Sequence, residues 1–236
     1  MRIVGELRKL GIDVTATLVR NTLKSAGISP APQRGRLDWR SFLRQHAATT
    51  LACDFLTVDT VLLRRIYVLV FIHVGRRWIE YMACTSNPDS AWMLQQARNL
   101  QMDLDDRGQR VRFLIHDRDA KFSRAFDRVF QNIGVEAIRT PVRAPNANAY
   151  IERWVGTLRR ECLDRLLIFN RRQLEHVLRV YVRHYNTERP HRALDLRAPG
   201  SRGANPAATG TPQVSAVAIR RRDLLGGLIH EYATAA

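Results

Sequence analysis

The hydrophobic period of this chain changes at Leu51, and the order of elements beyond that point constrains the fold more than any other feature. LACDFLTV (51–58), RIYVLVFIHV (65–74) and RWIEYMACT (77–85) are three runs rich in β-branched and aromatic residues, the composition of strands. The second and third meet at Gly75-Arg76, which reads as a tight hairpin. Asn87-Pro88 opens a helix whose apolar stripe is Met93, Ala97, Leu100 and Leu104. RVRFLIHD (110–117) is almost continuously apolar, as a central parallel strand is. Phe122, Ala125, Phe126, Val129, Phe130 and Ile133 then recur at helical spacing, Gly134 ends that helix, and VEAIRT (135–140) is a fifth strand. A loop, PVRAPNANA (141–149), precedes a helix over about 150–166. A last long helix carries Leu174, Val177, Leu178, Tyr181, Val182 and Tyr185 on one face. The order β-β-β-α-β-α-β-α-α predicts an α/β (α+β) architecture, a mixed five-stranded sheet flanked by helices.

The two ends read differently. Residues 1–29 are helical: Ile3, Leu7 and Leu10 share a face, Gly11 stops that helix, and Thr15 caps a second one through Lys24. Leu18, Val19 and Leu23 are expected inward, leaving Arg20, Asn21 and Lys24 outward. That basic outer face suits a partial helix-turn-helix-like segment, with Arg20 and Lys24 as DNA contacts, and equally suits any helical hairpin. Residues 30–47 form a Pro/Gly/Arg linker and a short helix, 48–197 the core, and 198–213 an Ala/Gly/Pro linker. The tail, 214–236, reads as two short strands about Leu225-Gly226-Gly227, either docked on the core or reaching for DNA.

Charge narrows the function. Lys and Arg number 38 against 22 Asp and Glu, a net +16, with a pI near 11. The partner expected for such an excess is a polyanion, most simply nucleic acid. With 45% hydrophobic and 25% charged residues, disorder of the whole chain is excluded. No apolar run approaches the ~20 residues that span a bilayer. MRIVGELRKL lacks the apolar stretch of a signal peptide, so a cytoplasmic, nucleoid-associated protein is expected. Cys53, Cys84 and Cys162 are too few and scattered for a disulfide framework or a zinc knuckle.

Three acidic residues stand among apolar neighbours at defined places: Asp54 inside the first strand, Asp117 at the end of the fourth, and Glu152 in the first turn of the helix after the 141–149 loop. Alone, an Asp at a strand end is usually a turn former, and a Glu in a first helical turn complements the helix dipole. If the first and fourth strands are neighbours, however, Asp54 and Asp117 converge, and the helix brings Glu152 to them. Carboxylates gathered at one point raise one another's pKa unless a cation is present. Two Mg²⁺ or Mn²⁺ ions with oxygen ligands remove that conflict and suit phosphoryl transfer. Basic residues on the same helix, Arg153, Arg159 and Arg160, are candidate DNA contacts. Arg159 lies seven residues from Glu152, about 10 Å along nearly the same face.

These segments resemble those of bacterial insertion-sequence transposases with a retroviral-integrase-type (DDE) catalytic core. The resemblance rests on Asp54 with Thr57-Val58-Asp59-Thr60, on His116-Asp117-Arg118-Asp119-Ala120-Lys121-Phe122, and on Asn148-Ala149-Tyr150-Ile151-Glu152-Arg153-Trp154. It closes with His184-Tyr185-Asn186 and Arg189-Pro190-His191-Arg192-Ala193-Leu194. Thirty-four residues separate Asp117 from Glu152, a spacing close to the family's. The resemblance implies an RNase H-like sheet, Asp54, Asp117 and Glu152 as catalytic metal ligands, and 3′-end cleavage followed by strand transfer. A homo-oligomer on DNA is implied too, with no membrane partner. Asp119 stands where relatives have Gly and is a rival to Asp117. Asp59 is a rival to Asp54, read here as a turn residue past the strand. Because the N-terminal segment looks like half of a DNA-binding unit, the alternative expectation is a truncated, inactive copy that binds DNA. A nuclease of the same fold is a third.

Overall fold

The computed structural model describes residues 2–27, 39–140, 148–201 and 218–235. The chain forms two compact units, Met1–Phe42 and Leu43–Ala236. In the first, α1 (Arg2–Lys9) ends on Gly11, whose φ of +78° is natural for glycine. The Ile12 N–H returns to the Leu7 carbonyl and the Gly11 N–H to the Arg8 carbonyl, both at 3.0 Å, which satisfies the last carbonyls of the helix. Helix α2 (Ala16–Ser25) begins at Thr15, whose hydroxyl accepts from the Leu18 N–H. Arg20 and Lys24 are exposed on α2, as expected, but so is Leu18, at 54%. Ten residues without a buried side chain give α2 no core of its own to face. Helix α3 spans Trp39–His46. The linker expected at 30–37 lies outside the described residues, as does most of 198–213.

The second unit holds the predicted sheet. Its strands are β1 (Thr50–Asp59), β2 (Arg65–His73), β3 (Ile79–Thr85), β4 (Phe113–His116) and β5 (Glu136–Arg139), in the spatial order β3-β2-β1-β4-β5. β1 is antiparallel to β2 and parallel to β4, and β4 is parallel to β5. The strand predicted over 110–117 is shorter, so Asp117 follows β4 rather than ending it. Asp59, read from the sequence as a turn residue, is instead the last residue of β1. It sits opposite Arg65, to which it is salt-bridged at 2.9 Å.

Both faces of the sheet are covered, which is why β2 is buried from Val68 through His73. On one face pack α4 (Ser90–Asp106) and α5 (Arg124–Gln131). The α4 stripe of Met93, Ala97, Leu100 and Leu104 meets Leu51, Cys53, Leu69 and Phe71 of the sheet and Phe122, Phe126 and Phe130 from α5 and its approach. Burial of side chains of this size contributes roughly 1.5–3 kcal/mol each. The other helices are α6 (Ala149–Glu161) and α7 (Arg171–Thr187), whose buried residues include Ile151, Trp154, Leu158, Leu174, Leu178 and Tyr181. Asn186 docks α7 on the sheet: its Oδ1 accepts from the Ile79 N–H and its Nδ2 donates to the Ile79 carbonyl, both at 3.0 Å.

The tail forms the predicted hairpin, β6 (Ile219–Leu224) and β7 (Ile229–Thr234), turning at Leu225, Gly226 and Gly227. It lies on the second unit, where Ile229 is buried and Glu231 is 3.2 Å from His184.

Candidate active site

Parallel pairing places the first two carboxylates. Thr50, Leu51 and Ala52 of β1 lie opposite Phe113, Leu114 and Ile115 of β4. That register, carried two residues further, aligns Asp54 with Asp117. Helix α6 supplies the third. Asn148 stands at its start and donates from Nδ2 to the Cys53 carbonyl at 3.2 Å, so the first turn, with Glu152, is held beside the strand that carries Asp54. Sequence reading expects Asn146 or Asn148 to cap this helix. Asn146 lies outside the described residues, and Asn148 makes no side-chain capping bond because its amide serves Cys53 instead.

The electrostatics reflect the same proximity. Burial pushes the Asp54 carboxyl up to about 6, against the Phe55 N–H that stabilises its charge. The negative charges of Asp117, Glu152 and Asp119 push it the same way. Four carboxylates from β1, the β4 loop and α6 therefore share one field. Asp119 differs from Asp117 in having its own cation. Burial works against its charge, but Lys121 outweighs that with its ammonium at 2.6 Å and its N–H at 2.9 Å, and the Asp119 pKa falls. Among the described residues the Asp117 carboxylate accepts only from the Asp119 N–H, at 3.0 Å. Lys121 itself lies over Phe55 and Tyr67, 5.4 and 5.5 Å from the ring centres.

An all-oxygen set in which burial and neighbouring carboxylates both raise the Asp54 pKa is a donor set that suits a hard divalent cation. Among the described residues no three His, Cys, Asp or Glu side chains close into a ready cage, so Asp54, Asp117 and Glu152 share a field before they share a ligand. Below them, the buried His116 ring contacts the Asp117 carbonyl through Nδ1 at 2.7 Å and Asp127 through Nε2 at 2.9 Å. Arg139 completes that group, at 2.8 Å from Asp127.

The three arginines predicted on α6 do not form one patch. Arg159 donates to the Thr57 carbonyl at 2.8 Å, on the strand of Asp54. Arg153 lines a cavity with Tyr150 and Tyr185, and Arg160 faces the tail hairpin near His230. Sequence reading misses Arg77, in the β2–β3 turn, whose guanidinium lies 3.9 Å from the ring centre of Tyr150. Only the hairpin signal marks that turn, and nothing in it points to α6.

A family model described as an integrase core domain matches residues 133–199, from the end of α5 through α6 and α7. Over 83 residues the chain is 39% identical to an uncharacterized 39.2 kDa protein of the insertion element IS476 from Xanthomonas euvesicatoria. Residues 133–199 thus carry the sequence pattern of an integrase core domain, and part of the chain is similar to an insertion-element protein. The match covers 35% of this chain and 24% of the IS476 protein, so the chain spans about a quarter of that relative's length. The fold is that of integrase-type catalytic domains. The catalytic domain of Mos1 mariner transposase superposes with a TM-score of 0.50 at 14% identity, over 66% of this chain and 85% of that one. A chain of the simian T-cell lymphotropic virus intasome in complex with the PP2A subunit B56 gamma superposes at 0.52 and 11% identity, over 80% and 67%. Among the described residues no helix is long and apolar enough to cross a membrane.

Proposed function

We propose that this chain cleaves DNA 3′ ends and transfers them to target DNA, with Asp54, Asp117 and Glu152 as its catalytic carboxylates. The observation that carries the reading is that β1–β4 pairing and the Asn148–Cys53 bond draw those three carboxylates together, in a strongly basic protein with a match to an integrase core domain. Asp54, Asp117 and Glu152 would hold two Mg²⁺ or Mn²⁺ ions, which when bound activate the attacking oxygen and stabilise the leaving one. The chain's own part is positioning. Strand pairing sets Asp54 against Asp117, Asn148 fixes the start of α6, and Lys121 neutralises Asp119, which favours Asp117 as the second ligand. Arg159 stands beside β1 with guanidinium N–H groups beyond the one given to Thr57, suited to a phosphate at the scissile position. DNA is the partner, as element ends and as target, and joining two ends calls for an oligomer.

The test is a joining assay with labelled DNA bearing the element's terminal repeats and either metal. Joined products should vanish in Glu152→Gln and Asp117→Asn and survive in Asp119→Asn. Wild-type protein that binds this DNA yet neither nicks nor joins it with either metal would overturn the enzymatic reading and leave an inactive DNA-binding copy.

A further inference from the structure

A second basic site lies on the neighbouring face of α6. Residues from the β2–β3 turn, α6, the end of α7 and the segment after it enclose a cavity of about 500 Å³. Four arginines line it and no acidic residue does. One of them, Arg189, is neutralised by Glu161. Arg77, Arg153 and Arg192 form no ion pair among the described residues, although Arg77 is half-buried and lies within the field of Arg153. Gathering three guanidinium groups, one of them half-buried, around a cavity with no carboxylate is unfavourable unless an anion joins them. The backbone adds to the cost, because Arg77 sits at φ +61°, a conformation that side-chain-bearing residues rarely adopt.

The walls fit the same anion. Tyr150 lies under the Arg77 guanidinium, and Tyr185 forms a side of the cavity. Trp154 is 1% exposed, lines the cavity, and its indole N–H has no acceptor among the described residues. A buried donor left unmade costs about 1–3 kcal/mol. Guanidinium forks match phosphate oxygens in geometry, and aromatic rings beside them suit a nucleotide. Glu152 and Arg153 are consecutive on one helix, so the cavity and the candidate carboxylates flank adjacent faces of α6.

We propose that the cavity bounded by Arg77, Arg153, Arg192, Tyr150, Trp154 and Tyr185 binds the phosphodiester backbone of a DNA strand, as a site separate from the carboxylates. This rests on the reading that the chain acts on DNA. The experiment is titration of the full chain, labelled with ¹⁵N at its tryptophan indoles, with a short DNA duplex in the absence of divalent metal. Trp154→Phe assigns the resonance. Its signal should move in step with binding. An Arg153→Ala/Arg192→Ala variant, altered at two exposed side chains, should melt like wild type. It should bind about tenfold more weakly at low salt, with the slope of log K against log salt reduced by about two.

If the duplex binds while the Trp154 signal stays fixed and the double variant keeps wild-type affinity and slope, the cavity is not a DNA site and the DNA-acting reading stands. If wild type binds no duplex even at low salt, that reading and this one both fall. A shift with polyglutamate but not with DNA would overturn the proposal in favour of an acidic protein partner.

Discussion

Asn148 donates its side-chain amide to the backbone carbonyl of Cys53 at 3.2 Å, which ties the residue that opens α6 to the residue before Asp54. The bond joins positions 95 apart in the chain and leaves the Asn148 Oδ1 buried without a partner among the described residues. Glu152 follows one helical turn later, so the distance between the first and third carboxylates depends on this amide. Asn148→Ala should destabilise the chain by about 1 kcal/mol, the net worth of such a bond. It should reduce strand joining far more than that loss of stability predicts. Asn148→Asp turns the donor into an acceptor facing a carbonyl and should be worse than Ala. Thermal melting beside the joining assay checks both, and full activity in Asn148→Ala would show that the helix is held elsewhere.

The raised Asp54 carboxyl sets a pH dependence of stability. The folded state holds this proton more tightly than the unfolded chain, with a pKa of about 6 against 3.8. The contribution is therefore fully present below about pH 4 and is lost as pH rises through 6. Asp54→Asn removes the repulsion, and near pH 7 the variant should be more stable than metal-free wild type by on the order of 1–3 kcal/mol, with solvent screening favouring the lower end. Mg²⁺ should raise the melting temperature of wild type more at pH 7.5 than at pH 5, and that of Asp54→Asn at neither. Melting curves across pH 4–8, with metal and with chelator, read all of this. Parallel profiles for the two proteins would mean that neither burial nor the neighbouring carboxylates raise the Asp54 pKa.

Asp127 serves two donors, the fully buried His116 ring at 2.9 Å and Arg139 at 2.8 Å, and His116 in turn holds the Asp117 carbonyl. Removing the carboxylate leaves a buried imidazole and a half-exposed guanidinium without their acceptor. Asp127→Ala should cost about 2–3 kcal/mol. Asp127→Asn, which keeps one acceptor, should cost less. Urea unfolding measures the difference. Because the same group supports the residue at the β4 terminus, the metal affinity of Asp127→Ala should fall even at temperatures where it remains folded.

Much of this arrangement is legible in the sequence, and the part that is not has a common cause. Burial on both faces makes β2 and β4 continuous apolar runs, and the stripe from Met93 to Leu104 repeats at helical spacing because it meets a single sheet. Periodicity reports such facts directly. Strand order places Asp54 near Asp117 for the same reason. What periodicity misses is where a polar side chain finds its partner across the chain. Asn148 has the residue type and place of a cap, yet its partner is Cys53. Arg159 has the spacing of a phosphate contact, and its first hydrogen bond goes to Thr57. Asp59 looks like a turn former beside Thr60 but pairs with Arg65 inside the hairpin. Helical phase alone sends Leu18 inward, and phase says nothing of whether a second surface is there to meet it.

Asn186 shows the same limit within a motif. The H-Y-N segment carries part of the sequence resemblance, but the structure gives its Asn a mechanical role. Both ends of the amide bond the backbone of Ile79, as a neighbouring strand would, and the Asn186 carbonyl receives the Gly200 N–H at 2.7 Å. The residue is 4% exposed, so no water replaces a missing partner. Asn186→Ala leaves a buried N–H and a buried carbonyl unmet and should cost about 2–4 kcal/mol. Asn186→Asp keeps the acceptor for the Ile79 N–H but sets a charge against the Ile79 carbonyl, and should cost at least as much. Hydrogen exchange at Ile79, slow in wild type, should accelerate in both variants more than at Leu69 in the centre of the sheet. Equal acceleration at the two positions would mean that the amide contributes to global stability without fastening α7 to the start of β3.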